Sequence, residues 1–392
     1  MNLDPLNLII KTQAGLEELL AQEVAAAGAG EIQILKRAVK CTADKATLYR
    51  LNYTCRTALR VLKEIAAFEA PDEQALYQGV KNFDWSSLIS EKQSLAINAT
   101  VSNSQMSHSH FVSLKTKDAI VDQFREKTGL RPNVDLDKPD LRIHVHIYGE
   151  QCSILTDSSG DSLHKRGYRT MQGLAPINEV LASGMIMHTG WDGSTDLLDP
   201  LCGSGTLLCE ADMIARKIPA GFFREDYGFF RWNDFDAQLW KKIVKEENSK
   251  IRPVPCNIFG SDINQRALAL AAEVIENADF TKDIQLKHVA FENSKAPVEG
   301  GGTIITNPPY GERIKKDDLN AFYKMIGDIL KTHYTGWDAW MISSDFSALK
   351  SVGLRTSRKI HLFNGPLECR FVKYEMYRGS KKTKAEKAEE EG

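Results

Sequence analysis

The chain has 392 residues, more than one typical domain of roughly 100 to 200 residues holds, so about two to three domains are expected. Hydrophobic residues make up 42% and charged residues 26%, the balance of an ordinary globular chain, which excludes a collagenous, disordered or disulfide-framework protein. With 50 Lys and Arg against 52 Asp and Glu, the formal net charge is -2, and any argument for a nucleic-acid partner must come from local charge.

From the N-terminus, Asn7 to Thr12 reads as a strand, and Gly15 to Ala27 carries Leu16, Leu19, Leu20 and Val24 at helical spacing. The stretches Ile32 to Leu35 and Ala38 to Thr42 suit a hairpin, and Leu48, Leu51, Cys55 and Leu59 give another helical face. These elements form a small α+β unit. A second block starts near Val61, with a helix over Asp72 to Val80, a strand over Ser94 to Val101 and a helix over Phe111 to Thr128. Strands at Leu141 to Tyr148 and Cys152 to Thr156 close it. The polar turn Ser158 to Asp161 then leads to His164 through Arg169, where the two large halves are expected to meet.

Beyond Arg169 strands, glycine-rich turns and helices alternate. Strands are expected at Thr195 to Leu198, Asn257 to Gly260, Thr303 to Thr306, Ala339 to Ile342 and Phe371 to Tyr377. Helices are expected at Thr206 to Ala215, Gln265 to Asn277 and Leu319 to Lys331. That alternation predicts a parallel, doubly wound sheet. The last twelve residues, Lys381 to Gly392, hold only Lys, Glu, Ala, Thr and Gly and are expected to be disordered.

No apolar run reaches the roughly 18 residues of a membrane span. The first thirty residues lack a basic start followed by an apolar block, so no secretory signal is expected and the cytoplasm is the expected compartment. Seven scattered cysteines, never spaced as CxxC, are read as reduced thiols, and no metal site is expected.

Three motifs carry chemistry. The first, Asp199-Pro200-Leu201-Cys202-Gly203-Ser204-Gly205-Thr206, lies where a strand hands over to a helix. Its glycines let the backbone approach a ligand closely, and the helix N-terminus offers free amide donors. Leu208 stands where a dinucleotide fingerprint wants glycine, which disfavours NAD. The second, Phe259-Gly260-Ser261-Asp262-Ile263-Asn264, puts a carboxylate at the end of the next strand, where it could accept bonds from ribose hydroxyls or cap the following helix. The third is Asn307-Pro308-Pro309-Tyr310-Gly311-Glu312-Arg313, directly after a strand. Its prolines fix the backbone, the Asn307 side chain and the Pro308 carbonyl can accept the hydrogens of an exocyclic amine, and Tyr310 can stack on the base. Cys202 is read as packing, because methyl transfer to an amine needs no covalent enzyme intermediate.

In that order, these motifs resemble the amino-methylating class I S-adenosylmethionine-dependent methyltransferases. Residues 43 to about 380 resemble the THUMP-containing 23S rRNA guanine-N2 methyltransferase family, which includes proteins often labelled N6-adenine-specific DNA methylases. The cues in the front half are Val101 to Gln105, the helix Lys115 to Phe124, Pro139 to Arg142, and Ser162 to Arg169. The resemblance implies an α/β fold: a Rossmann-like methyltransferase domain over 165–380, preceded by an α+β THUMP region over 43–157 and, within 1–42, part of a ferredoxin-like unit. It implies S-adenosylmethionine around Asp199, Cys202, Gly203, Gly205, Asp262 and Ile263, with Pro176 and Asn178 beside it, and the target base at Asn307, Pro308, Pro309 and Tyr310. For the adenine of the cofactor, either Glu292 or backbone donors with Phe291 packing would serve. A tRNA guanine and, less, a DNA adenine are the alternative substrates, and a non-catalytic RNA-binding module is the least favoured reading.

RNA contact is expected from Lys115, Lys117, Lys165, Arg166 and Arg169. Nine Lys or Arg against two Glu in residues 351–384 add a basic surplus in the back half. The stretch Arg216 to Trp232 interleaves Lys217, Arg224 and Arg231 with six aromatic rings, a composition that suits either base stacking or core packing.

Overall fold

The computed structural model describes residues 5–169, 177–310 and 316–377. Pro176, Gly311 to Arg313 and the Lys381 to Gly392 tail lie outside the described residues. The chain divides into two compact units, one of residues 1–167 with 219–251, the other of residues 168–218 with 252–392.

The first unit is built on eight strands: β1 (Leu6–Lys11), β2 (Gly30–Leu35), β3 (Ala38–Ala43), β4 (Arg60–Glu69), β5 (Ser94–Ser102), β6 (Asn133–Val134), β7 (Leu141–Tyr148) and β8 (Gln151–Asp157). They form one sheet in the order β2-β3-β1-β4-β8-β7-β5-β6. The sequence reading separates a small opening unit from the next block, and β4 joins them by pairing with β1 on one side and β8 on the other. The alternation in β7 works as expected: Leu141, Ile143, Val145 and Ile147 are buried beneath the Ser109–Thr128 helix in one core cluster. The helix expected to reach Leu59 stops at Thr54, with Asp44 capping its start at Thr47 N.

Residues 219–251 return to this first unit. Tyr227, Phe229 and Ile243 sit in one core with Leu8, Val39, Leu48 and Tyr49. Tyr49 and Phe229 stack with ring centroids 4.5 Å apart, and Trp240 meets Tyr53 edge-on at 5.4 Å. The aromatic stretch is therefore largely core, its rings already occupied by protein partners. Arg224 is spent in the same way, donating to the carbonyls of Lys165 at 2.7 Å and Ser162 at 3.0 Å.

The second unit carries β9 (Leu197–Asp199), β10 (Ile258–Asp262), β11 (Ile284–His288), β12 (Thr303–Thr306), β13 (Asp338–Ser343), β14 (Thr356–Asn364) and β15 (Leu367–Glu375). Their order is β11-β10-β9-β12-β13-β15-β14. The first five pair in parallel, as the alternation predicts, and β15 runs antiparallel between β13 and β14. Strand order reverses between β9 and β12, so a crevice opens beyond their carboxyl ends, the usual ligand position in such sheets.

Within this unit Asp212 is fully buried, and neither carboxylate oxygen has a hydrogen-bond partner among the described residues. Arg216 Nη1 stands 3.6 Å off. Burial, helped by the charge of Asp283, pushes the carboxyl up to about 7. The folded chain thus holds this proton more tightly than the unfolded chain, and the contribution to stability is lost as pH rises from about 4 towards 7. Asp212→Asn is expected to melt above the wild type at pH 8, with the difference closing near pH 4 in thermal scans. All seven cysteines stand unpaired. Among the described residues no helix is long and apolar enough to cross a membrane.

Candidate active site

Three strand ends of the second unit build the site. Asp199 closes β9 and is buried, its Oδ1 accepting from Thr306 Oγ1 at 2.8 Å and from Leu201 N at 3.2 Å. Burial, reinforced by the charge of Asp262, pushes its carboxyl up to about 7. Thr306 ends β12, so this bond ties the first and third motifs together across the strand-order reversal.

Asp262 closes β10 and does not cap the helix that follows. Asn264 caps the Gln265–Asn277 helix, accepting from Arg266 N and Ala267 N. Asp262 instead reaches across to the first motif, its Oδ2 accepting from Gly203 N at 2.9 Å, while Oδ1 takes Asn264 N at 2.8 Å. Cys202 N donates to Ser261 O at 2.9 Å, a second tie between the loops.

The glycines have separate reasons. Gly203 has φ +53 and open space where a Cβ would stand, whereas Gly205, at φ +77, would set a Cβ 3.2 Å from that of Ala271. The first serves the loop, the second helix packing. Cys202 is buried and its thiol is pushed well up by burial and by Asp199 and Asp262, which leaves no thiolate nucleophile.

These elements enclose a cavity of about 790 Å³ whose wall includes Asp199, Cys202, Gly203, Thr206, Asp262, Ile263, Glu292, Asn307 and Pro309. Ile177, which lies between Pro176 and Asn178 in the segment expected beside the cofactor, also lines it, as do Leu270 and Phe322, which the sequence reading does not single out. Of the other expected residues, Gly205, Asn178, Pro308 and Tyr310 stand off the wall. Asn178 caps the Glu179–Thr189 helix through Val180 N at 3.0 Å. On the side expected to hold adenine, Ala290, Phe291 and Glu292 all border the cavity, with Phe291 stacked in parallel on Tyr334.

Asn307 is the informative residue. Its Oδ1 is buried against the cavity and has no hydrogen-bond partner among the described residues. Leaving a buried acceptor unpaired costs roughly 1 to 3 kcal/mol, so such an atom calls for a donor, and a ligand in the cavity can supply one. Tyr310, three residues on, is anchored: its hydroxyl oxygen accepts from Asn364 Nδ2 at 2.7 Å, and it also bonds Cys369 on the facing hairpin strand. Nothing in the sequence flags Asn364, because the contact joins positions 54 residues apart.

Each residue expected to contact RNA has a partner within the chain. Arg166 corrects the reading: it is buried, donating to Leu163 O at 2.9 Å and Arg56 O at 2.6 Å, and serves as a structural clamp. Arg169 belongs to the second unit, where it donates to Thr206 Oγ1 and pairs with Glu179. Lys115 lies over the Tyr77 ring at 5.4 Å, Lys117 meets Asp118 at 3.1 Å, and Lys165 meets Asp161 at 3.1 Å. Part of the basic surplus near the C-terminus is also spent internally. Lys373 pairs with Asp338 and Glu375, and Arg370 sits 4.1 Å from the Phe346 ring centre.

A seven-stranded sheet of this order, with carboxylates ending its first two strands and Asn-Pro-Pro-Tyr after the fourth, is that of a Rossmann-like methyltransferase. Residues 166–373 match the family described as RMKL-like methyltransferase domain, and the chain belongs to that family. Ahead of it, residues 70–157 match the THUMP domain and residues 7–62 the RlmL ferredoxin-like domain. The chain is 39% identical over 365 residues to a Synechocystis protein provisionally named an RNA methyltransferase, covering 93% of this chain and 95% of that one. It is 35% identical over 384 residues to a ribosomal RNA large subunit methyltransferase K/L of Syntrophotalea carbinolica, covering 95% of this chain and 54% of that one. It thus spans about half the length of the K/L relatives it matches. A solved structure titled as a methyltransferase complexed with S-adenosylhomocysteine superposes with a TM-score of 0.87 at 26% identity, covering 96% of this chain and 99% of that one. Among the described residues no group of three His, Cys, Asp or Glu side chains is placed to hold a metal ion.

Proposed function

We propose that this chain transfers the methyl group of S-adenosylmethionine to the exocyclic N2 amine of a guanine in 23S ribosomal RNA, in the cytoplasm. The observation that carries the reading is the buried Asn307 Oδ1, without a partner among the described residues, on the wall of a cavity that Asp199 and Asp262 also line. The names of the K/L relatives support the ribosomal substrate, and the THUMP match supports RNA.

The cofactor fits the residues present. Gly203 leaves open space at the loop, Asp262 keeps lone pairs for ribose hydroxyls, and the cavity lies within the usual range of about 300 to 1,000 Å³ for small-ligand sites. When bound, S-adenosylmethionine supplies an electrophilic methyl group on a sulfonium. The protein supplies position. Asn307 Oδ1 and the Pro308 carbonyl would accept the two amine hydrogens, which fixes the plane of the amine and directs nitrogen electron density towards the methyl group. Alignment and proximity give most of the acceleration. The amine loses its proton only as the new bond forms, so no strong base is required. A base that must enter this cavity is presented unpaired or flipped out.

Mass-spectrometric mapping of methylated nucleosides in rRNA and tRNA, from cells with and without the gene, tests the assignment. Loss of one N2-methylguanosine from 23S rRNA is expected; loss from tRNA, or of N6-methyladenosine, would redirect the substrate and leave the loop chemistry standing. Asp262→Ala is expected to weaken cofactor binding by about 1 to 3 kcal/mol, the scale of a bond to a charged group. Calorimetry giving wild-type affinity for that variant would remove Asp262 from the ribose.

A further inference from the structure

Among the described residues the cavity wall carries three carboxylates, Asp199, Asp262 and Glu292, and no lysine or arginine. A sulfonium and an α-ammonium suit such a wall, but the α-carboxylate of the same ligand does not. A negative group at a low-dielectric wall already lined by acids needs a cation or several aimed donors to be held there.

Arg169 stands behind that wall. Its Nη2 donates to the hydroxyl of Thr206, which does line the cavity and begins the Thr206–Ala215 helix. Its Nη1 lies 3.4 Å from Glu179 Oε1, and its side chain is 17% exposed. Its Nε is buried with no hydrogen-bond partner among the described residues. A guanidinium has five N–H donors, and Thr206 and Glu179 account for only part of them here. The Thr206–Ala215 helix adds to the pull on an anion, since Gly205 at its N-cap brings no side-chain acceptor to its first amides.

We infer that Arg169 holds the α-carboxylate of the cofactor's amino-acid end at the Thr206 corner of the cavity, a role that rests on the cofactor reading above. Glu179 orients the guanidinium from behind, as a carboxylate partner does for a ligating side chain. The residue first expected to touch RNA thus becomes a cofactor residue in the catalytic unit.

Two ligands separate this role from a structural one. S-adenosylhomocysteine has the amino-acid end, and 5′-methylthioadenosine keeps the adenosine and thioether without it. In calorimetric titrations, Arg169→Gln is expected to weaken S-adenosylhomocysteine tenfold to a hundredfold while leaving 5′-methylthioadenosine within about twofold of wild type, the scale of a lost charge-assisted bond. Arg169→Lys keeps the charge and should recover most of the loss. Equal weakening of both ligands in the Gln and Lys variants would show that Arg169 only supports the fold and would overturn the proposal. Unchanged affinity of Arg169→Gln for S-adenosylhomocysteine would overturn it too. Wild-type protein that binds neither ligand would instead remove the cofactor reading, and this role with it.

Discussion

Asn307→Ala is expected to lower single-turnover methyl transfer by on the order of a hundredfold or more while leaving cofactor affinity and melting temperature near wild type. The scale is that of removing one positioned polar group from a transition state. The absence of a stability cost has a structural reason. In the folded chain Asn307 Oδ1 bonds to nothing among the described residues, so the substitution removes no hydrogen bond among them. An Asn307 variant that loses activity because it unfolds would contradict this. Full activity on undermodified rRNA would sink the proposed mechanism outright.

Tyr310 is expected to behave differently, and here the structure changes what the sequence alone suggests. Tyr310→Ala removes a ring that could stack on the base, a contact worth about 1 to 3 kcal/mol, and should raise the KM for RNA more than it lowers the maximal rate. On the motif alone, Tyr310→Phe keeps the ring and should keep most of the activity. In the folded chain, however, the hydroxyl is tied to the β14–β15 hairpin through Asn364 at 2.7 Å and Cys369. Phenylalanine leaves the Asn364 amide without that acceptor and frees the ring to rotate. A loss of about 1 kcal/mol, roughly fivefold in rate, is therefore expected for Tyr310→Phe, and Asn364→Ala should match it. Single-turnover rates for the two variants and their double combination provide the check: combined losses that simply multiply would mean that Asn364 does not act through Tyr310.

The sequence by itself determined the catalytic half in most of what matters. Each motif is a local pattern at the end of a short apolar strand, and a strand end that turns through Gly203 or Pro308 is constrained by neighbours only a few residues away. The parallel strands from β9 to β13 were legible apart from β11, Ile284–His288, where Gln285, Lys287 and His288 break the apolar run. The strand β14 was also missed, because Arg358, Lys359 and His361 give it the composition of a basic surface. In the front half β4 escaped for the same reason, with Lys63, Glu64 and Glu69 in its run, and with it the union of eight strands in one sheet.

What only the tertiary structure decided are the long-range pairings. Residues 219–251 return to the first unit because Phe229 and Trp240 bury their rings on Tyr49 and Tyr53, with Tyr227 stacked on Phe229, and hydrophobic burial carries no record of sequence distance. Arg166 reads as a surface cation until its guanidinium is seen to satisfy two buried carbonyls. Asp262 could have capped a helix, but Asn264 does so, and Asp262 accepts from the Gly203 amide 59 residues away instead. Charge and hydrogen-bonding capacity are written in each residue, but whether a group meets solvent, a ligand or another part of the chain is fixed by packing, which depends on the whole fold at once.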